Sequence, residues 1–305
     1  MFATLEKYLG SCSRATIKSI MTHYVQQGII QDYTITAKKI DFSFKGKIKK
    51  SKVKKTITIL RDENKEDITP DILPPDIADR EQKIRAINQY YSGHNITLDG
   101  KTLATDIRQV FNSSWDRGGR LYGNENSYQS IKKSDRGKIK IDGSYTTELD
   151  FSSIHINLLY AYVGKQAPVD CYNFFPDRLL AKKSLLIAIN AKSVEAAALA
   201  LAKEWTTANP AKPLSAEQAK IVIDDAVKAH SPIKQYICSG VGAGLQRLDS
   251  ELAINIVMTC KQQGIVALPI HDSFIVAQKN EDTLKKIMQD EYSRYTGGFL
   301  CEVKK

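Results

Sequence analysis

Little in this 305-residue chain points to a membrane, a secreted scaffold or a structural metal. It has no apolar run near the length of a membrane span. The opening MFATLEKYLG lacks the basic head and long apolar stretch of a signal peptide, so a cytoplasmic location is expected. Its five cysteines, Cys12, Cys171, Cys238, Cys260 and Cys301, are scattered and odd in number. None forms a CxxC pair, which argues against a zinc ribbon and against a disulfide framework. Internal repeats and low-complexity tracts are also missing. What remains is the composition of a globular protein, 42% hydrophobic and 26% charged, long enough for one large domain or two smaller ones.

Positive charge is in excess, with a formal net charge of +10, and it is concentrated. Lys38 to Lys55 holds nine lysines against the single Asp41. Such a run is either a solvated face or the footprint of a polyanion such as nucleic acid. Upstream, Ile17, Ile20, Met21, Tyr24 and Val25 predict a helix over 14–27, with Ser13 as cap and Gly28 as stop. Ile40, Phe42 and Phe44, then Val53, Ile57 and Ile59, predict a lysine-studded hairpin. The pair of elements resembles a winged helix, or a small cap on the main domain. Residues 1–61 are therefore expected to form a basic module and the acidic, proline-bearing 62–76 a linker. Residues 77–305 form the main domain. Helices are expected at 80–91, 101–111, 153–163, 177–206, 215–230, 245–263 and 281–295. Strands are expected at 137–151, split by Asp142-Gly143, and at 265–270, 273–278 and 299–303.

Four segments of the main domain carry candidate chemistry. In TTELDFSSIHINLLYA, Asp150 ends a strand as a helix begins. In LPIHDSFIVA, Asp272 sits between two apolar runs, at the tip of a hairpin. Each alone is an ordinary turn or cap residue. Facing each other, they would hold two divalent cations, with Mg²⁺ favoured by an all-oxygen ligand set. In DRLLAKKSLLIAINA, Arg178, Lys182, Leu186 and Asn190 recur every four residues and share a helix face. That face suits a triphosphate at one end and a base at the other, or is simply an amphipathic surface. In SWDRGGRLYGNENSYQSI, Arg117 and Arg120 flank Gly118-Gly119, with Tyr122 and Tyr128 interleaved. This is either a grip on a nucleic-acid backbone or a glycine-rich turn.

In this order the segments resemble the family A DNA polymerases, the group of bacterial DNA polymerase I, whose cousins are the phage-type single-subunit RNA polymerases. GGRLYG…SYQSI…RGKIKIDG is similar to the TGRLSS…NLQNI…GRRIR stretch of that family. ELDFSSIHINLL is similar to DYSQIELRIL, RLLAKKSLLIAINA to RxxxKxxxFxxxYG, and LPIHDSFIV to VHDE or, more closely, to the HDSF of the RNA polymerases. The resemblance spans roughly residues 110–280. It implies an α+β fold, a polymerase palm of antiparallel sheet and helices with reduced helical fingers near 170–240. The basic N-terminal module would be thumb-like or winged-helix-like.

It further implies a minimal DNA-templated DNA polymerase without exonuclease, of phage or mobile-element origin, extending a primer by a two-metal mechanism. Asp150, Asp272 and the Phe151 carbonyl would hold two Mg²⁺ ions, with Mn²⁺ as substitute. Arg178 and Lys182, with Lys183 as fallback, would bind the triphosphate of the incoming dNTP, and Lys182 would protonate the leaving pyrophosphate. Leu186, Asn190 and His155 would border the nucleotide. Arg117, Arg120, Gln129, Gln246 and His271 would track primer–template DNA. His155 stands where the family has Glu, and Asn190 where it has Tyr, which implies low fidelity, as in gap filling or translesion synthesis, and leaves sugar choice open. An RNA polymerase or primase on the same palm is the nearest alternative. A winged-helix DNA-binding protein with an inactive palm is the alternative of another class. No membrane partner is expected.

Replacing Lys47, Lys49, Lys50, Lys52, Lys54 and Lys55 by Ala is expected to weaken primer–template binding and flatten its salt dependence, by about 0.9 in log–log slope per lost phosphate contact. Binding isotherms between low and moderate salt check this. An unchanged slope would show a merely solvated lysine face.

Overall fold

The computed structural model describes the backbone of residues 30–35 and 40–44, and residues 57–68 and 72–305 in full. The helix expected at 14–27 and the lysines from Lys47 to Lys55 lie outside the described residues. The chain divides into two units, Met1–Lys55 and Thr56–Lys305. In the first, β1 (Ile30–Ile35) pairs antiparallel with β2 (Ile40–Phe44). The strand expected to pair with 53–59 therefore pairs with the segment before it.

Ile57 and Ile59 belong to the second unit, so the boundary falls before residue 56 rather than after 61. There, β3 (Thr58–Arg61) and β4 (Asp67–Ile68) form a hairpin where the beginning of a linker was expected. Its turn is closed by the Asp62 carboxylate, which accepts from the backbone N–H of Asn64 and Glu66. The acidic, polar composition that reads as a linker is the chemistry of this tight turn.

After α1 (Pro75–Tyr91) come β5 (Ile96–Leu98), β6 (Lys101–Thr102), β7 (Ile107–Asn112) and β8 (Ser114–Gly123). The helix expected at 101–111 is thus two strands. β7 is an inner strand, parallel to β3 and antiparallel to β8, in the sheet order β4-β3-β7-β8. Ile107, Val110 and Phe111 are all buried there. A strand covered on both faces loses its alternation and mimics helical spacing.

The second sheet has the order β11-β12-β10-β9-β5-β6, with β13 (Val303–Lys304) also paired to β10, and all its pairings are antiparallel. β9 (Lys140–Ile141) and β10 (Ser144–Phe151) are joined by Asp142-Gly143, both with positive φ, as the sequence predicts. β11 (Ala267–Ile270) and β12 (Ser273–Ala277) form the last hairpin. Pro269 is tolerated because β11 is an edge strand. Its carbonyl accepts from Tyr128 Oη at 3.0 Å and Gln129 Nε2 at 2.8 Å, which ties the segment after β8 to this hairpin.

The helices are α2 (Ile154–Tyr162), α3 (Arg178–Asn190), α4 (Val194–Ala208), α5 (Ala216–Ala229), α6 (Gly242–Gln262) and α7 (Glu281–Thr296). The single helix expected over 177–206 is broken, because Ser193 caps a new one by accepting from Ala196 N–H. Asp177 caps α3 and Ser215 with Gln218 forms a capping box on α5. Among the described residues no helix is long and apolar enough to cross a membrane. The fold is α+β, with mainly antiparallel sheets and a helical segment at 178–229.

Buried Arg80 on α1 joins the two-sided sheet to α6. Its Nε donates to Gln109 Oε1, and its Nη2 to Gly119 O and Ser250 Oγ. Burial, with the nearby Arg247, lowers its pKa to about 10, so it stays charged at neutral pH. Gly118 and Gly119 make this approach possible, both at positive φ. A Cβ at Gly119 would sit 2.7 Å from Phe111 Cε1. The close approach these glycines allow is to the neighbouring strand. Gly119→Ala is expected to cost about 1–3 kcal/mol of stability from backbone strain and overpacking. Gly137→Ala, where nothing lies within 4 Å, should be near neutral. Denaturant melts of the two variants check this.

Candidate active site

The strand pairing of β10 with β12 places Asp150 directly opposite Ser273, so Asp272 lies at its side. Phe151 N–H donates to Asp272 O at 3.4 Å, closing the strand ends around the hairpin tip. His271 enters that tip with φ 57°, a left-handed conformation in which His is enriched among non-glycine residues. On the other side, Ser153 turns the chain from strand into α2 with φ 54°. Two tight turns thus bring two carboxylates together at one end of the sheet.

A cleft of about 280 Å³ opens there. Its floor is Asp150, Phe151 and Asp272, and Ser153, Ile154, His155 and Ile156 of the strand–helix junction form one side. Arg120 and Tyr172 border it, and α3 closes it with Lys182, Leu185, Leu186 and Ile189. Seven residues proposed from sequence, as far as 152 positions apart, are thereby gathered: Arg120, Asp150, Phe151, His155, Lys182, Leu186 and Asp272.

Asp150 is electrostatically strained. Burial first, and then the charge of Asp272, push its pKa up to about 6, against the opposing pull of Lys133 and Lys182. Its Oδ1 is buried without a hydrogen-bond partner. Among the described residues no group of three or more His, Cys, Asp or Glu gathers as a metal site. Two carboxylates at one cleft, with one carboxylate oxygen unpartnered, instead suit a hard divalent cation that keeps some of its waters.

Other candidates are placed elsewhere. Arg178 is exposed, paired with Asp170 and stacked over Tyr172 at 5.2 Å. Lys183 points to Glu204 at 2.9 Å. Asn190 is exposed, donates to Leu186 O, and packs its amide against Gly242, while Ile189 takes the place at the cleft. Asn190 lies eight residues beyond Lys182, and at 3.6 residues per turn it has rotated about 80° away from it round the helix. Gln129 spends its amide inside the fold, accepting from Gly123 N–H and donating to Leu121 O and Pro269 O. These bonds brace β8 against the β11–β12 hairpin. Arg117 is exposed and Gln246 half-buried, both outside the cleft. His271 packs edge-on against Tyr122, and burial with nearby Arg120 lowers its pKa.

Several residues at or behind the cleft were not foreseen, Ile189, Tyr172 and Asp249 among them. Tyr172 lies in a loop without any motif. Asp249 had a readable signal, since it falls on the buried stripe of α6 with Leu245, Leu252 and Ala253, and a buried acid needs partners. Those partners are Arg120 Nη2 at 2.5 Å and His155 Nε2 at 2.7 Å. Burial opposes the charge on Arg120, but the hydrogen bond and charge of Asp249 outweigh it and raise its pKa.

No family model matches the chain, and no curated protein matches it. Among solved structures it is similar to the POL domain of Pol1 from M. smegmatis, in complex with DNA primer-template and dNTP, at 13% identity and a TM-score of 0.42. The match covers 75% of this chain and 51% of that one, so the chain spans about half of that domain's length.

The raised pKa of Asp150 gives a signed pH dependence. Between about pH 4 and 6 the folded state holds the proton more tightly than the unfolded chain, so stability falls as pH rises through that window. Asp150→Asn is therefore expected to be more stable than the unmutated protein above pH 6, by about 1–2 kcal/mol after solvent screening, and equal to it below about pH 4. Millimolar Mg²⁺ should raise the melting temperature of the unmutated protein at pH 7.5 and not that of the variant. Thermal melts with and without the ion check both.

Proposed function

We propose that the chain is a DNA-templated DNA polymerase that adds dNTPs to a primer 3′ end. The observation that carries this reading is the juxtaposition of Asp150 and Asp272 across paired strands, at a cleft whose facing helix presents Lys182 and Leu186. A pair of carboxylates alone serves many hydrolases. A pair facing a cation and an aliphatic side chain on one helix provides for a phosphate tail and a flat base together.

Asp150, Asp272 and the Phe151 carbonyl would hold two Mg²⁺ ions. When bound, the ions lower the pKa of the attacking hydroxyl and offset charge on the leaving oxygen. The primer 3′-hydroxyl gives its proton to solvent as its oxygen forms a bond to the α-phosphorus, and the bond from that phosphorus to the pyrophosphate oxygen breaks. Lys182 stands at the cleft to neutralise the triphosphate and to give a proton to the departing pyrophosphate. Leu186 and Ile189 supply a flat apolar wall for the base. Arg178 reaches the phosphates only by exchanging Asp170 for them, which its exposed position permits. The duplex is held by the basic excess, the lysine run of the N-terminal unit included. The helices over 178–229 act as reduced fingers and the sheet of β10 to β12 as the palm. An aliphatic wall without an aromatic face fits the base pair loosely, so fidelity is proposed to be low.

Asp150→Asn and Asp272→Asn are each expected to abolish primer extension with dNTPs and Mg²⁺ while leaving primer–template affinity within a few-fold. The carboxylates act in the chemical step and the duplex is held elsewhere. Extension assays beside binding isotherms check this. Activity retained in both variants rules out the carboxylate assignment, and extension with NTPs without a primer favours an RNA polymerase or primase.

A further inference from the structure

The face of β10 that carries Asp150 also carries Thr146 and Glu148, because alternate residues of a strand share a side. A short 3₁₀ helix, Lys133–Lys138, lies across that face, and its contacts run in step with the strand. Thr146 Oγ1 donates to Ile139 O at 2.8 Å, just past the helix. Glu148 Oε1 accepts from Arg136 Nη1 at 2.9 Å. Two residues along the strand thus correspond to three along the helix, in the opposite direction. The rises agree, at about 6.6 Å for two strand residues and about 6 Å for one 3₁₀ turn. One further step sets Lys133 against Asp150. The electrostatics agree as well. Burial and Asp272 raise the pKa of Asp150, and Lys133 opposes them more strongly than Lys182 does. The middle rung is fixed, since Arg136 Nε also donates to Ile131 O and Ser273 Oγ to the same Glu148 oxygen. Lys133 itself is exposed and makes no hydrogen bond or ion pair among the described residues. It does not line the cleft, whereas Lys182 does.

We infer that Lys133 is a placeholder counter-charge, which offsets Asp150 while no metal is bound and passes to a backbone phosphate of a polynucleotide strand when a divalent cation takes the carboxylate. The inference rests on the polymerase reading of this cleft. The ion and the ammonium compete for one carboxylate. The ion carries twice the charge and has a second acid in Asp272, so it wins. The displaced ammonium is repelled by the ion and left unpaired at the surface, where a phosphate is the anion that suits it. The phosphates of an incoming nucleotide have Lys182 inside the cleft. A strand whose 3′ end reaches Asp150 leaves the cleft and brings its phosphates outside the lining, where Lys133 stands. One lysine then links ion binding to strand binding, so that each strengthens the other.

The test uses the full chain with Lys133→Ala, Lys133→Arg and, as control, Lys138→Ala, whose lysine pairs with Asp135 on the same helix. Thermal melts with rising Mg²⁺, without DNA or nucleotide, read the ion alone. Lys133→Ala should respond at about 3- to 10-fold less Mg²⁺, the effect of removing one competing charge close to a divalent ion. Primer–template isotherms at matched ionic strength, with Mg²⁺ or with EDTA and no dNTP, read the strand. In Mg²⁺ the variant should bind about 3- to 10-fold more weakly, with a log–log salt slope lower by about 0.9. In EDTA the loss should largely vanish, because Lys133 is then engaged by Asp150 in the unmutated protein. A merely structural lysine would move neither the ion response nor this difference. Lys133→Arg, which keeps the charge, and Lys138→Ala should match the unmutated protein in both. An unchanged Mg²⁺ response in Lys133→Ala, a strand loss equal in Mg²⁺ and EDTA, or a loss confined to KM for dNTP overturns the inference. Both effects in a protein that extends no primer overturn the polymerase reading alone, and primer extension with neither effect overturns the inference alone.

Discussion

The antiparallel pairing of β10 with β12 is the constraint on which the rest of the molecule depends. Thr146 to Asp150 lie opposite Ala277 to Ser273, and the register is fixed by burial on both sides. Leu149, Phe274, Ile275 and Val276 are all buried. A slip of one residue would turn Leu149 and Phe151 out of the core and bring Glu148 and Asp150 into it. The site's two acids are therefore held together largely by apolar residues outside the cleft, Leu149, Phe274, Ile275 and Val276. A second tie lies beneath them: Ser273 Oγ donates to Glu148 Oε1, which also receives Arg136 Nη1.

Around that pair the fold gathers charge in a graded manner. Asp150 is the least compensated, with an orphaned oxygen and a pKa pushed up to about 6. Asp249, deeper, is paired twice and holds Arg120 charged. Arg80, also buried, is held by neutral oxygens and lowered to about 10. The bracing groups keep an unpartnered atom too, Asp249 Oδ1 and Arg80 Nη1, so what sets Asp150 apart is its place at the cleft beside the like charge of Asp272. The helices over 178–229 complete the cleft with few groups of their own, one lysine and a short aliphatic stripe.

Much of this was legible in the sequence. The strand–turn–strand at Asp142-Gly143, the hairpin around Asp272, the junction after Asp150 and the helix carrying Lys182 all follow from local pattern and turn chemistry. Local patterns succeed there because each segment is half-buried and so keeps its period. They fail at residues 101–111, where burial on both faces of β7 erased the alternation, and at 62–68, where turn chemistry resembled a linker. The same limit governs single residues. Lys182 and Leu186 sit one turn apart and share the cleft, but Arg178 is captured by Asp170 and Asn190 by Leu186 O, partners that helical spacing cannot foresee.

The sequence by itself determined the inventory: two acids in turn contexts, a cationic helix, a glycine pair and a basic excess. Those depend on local conformational preference and composition, which short segments carry within themselves. The tertiary structure alone decided which of them meet. It brought Arg120, Asp150, His155, Lys182 and Asp272 to one cleft, gave Gly118 and Gly119 to strand packing, turned Gln129 inward, and added Tyr172 and Asp249. Contacts across more than a hundred residues are set by sheet register and by the burial of apolar faces, and neither is a property of any one segment.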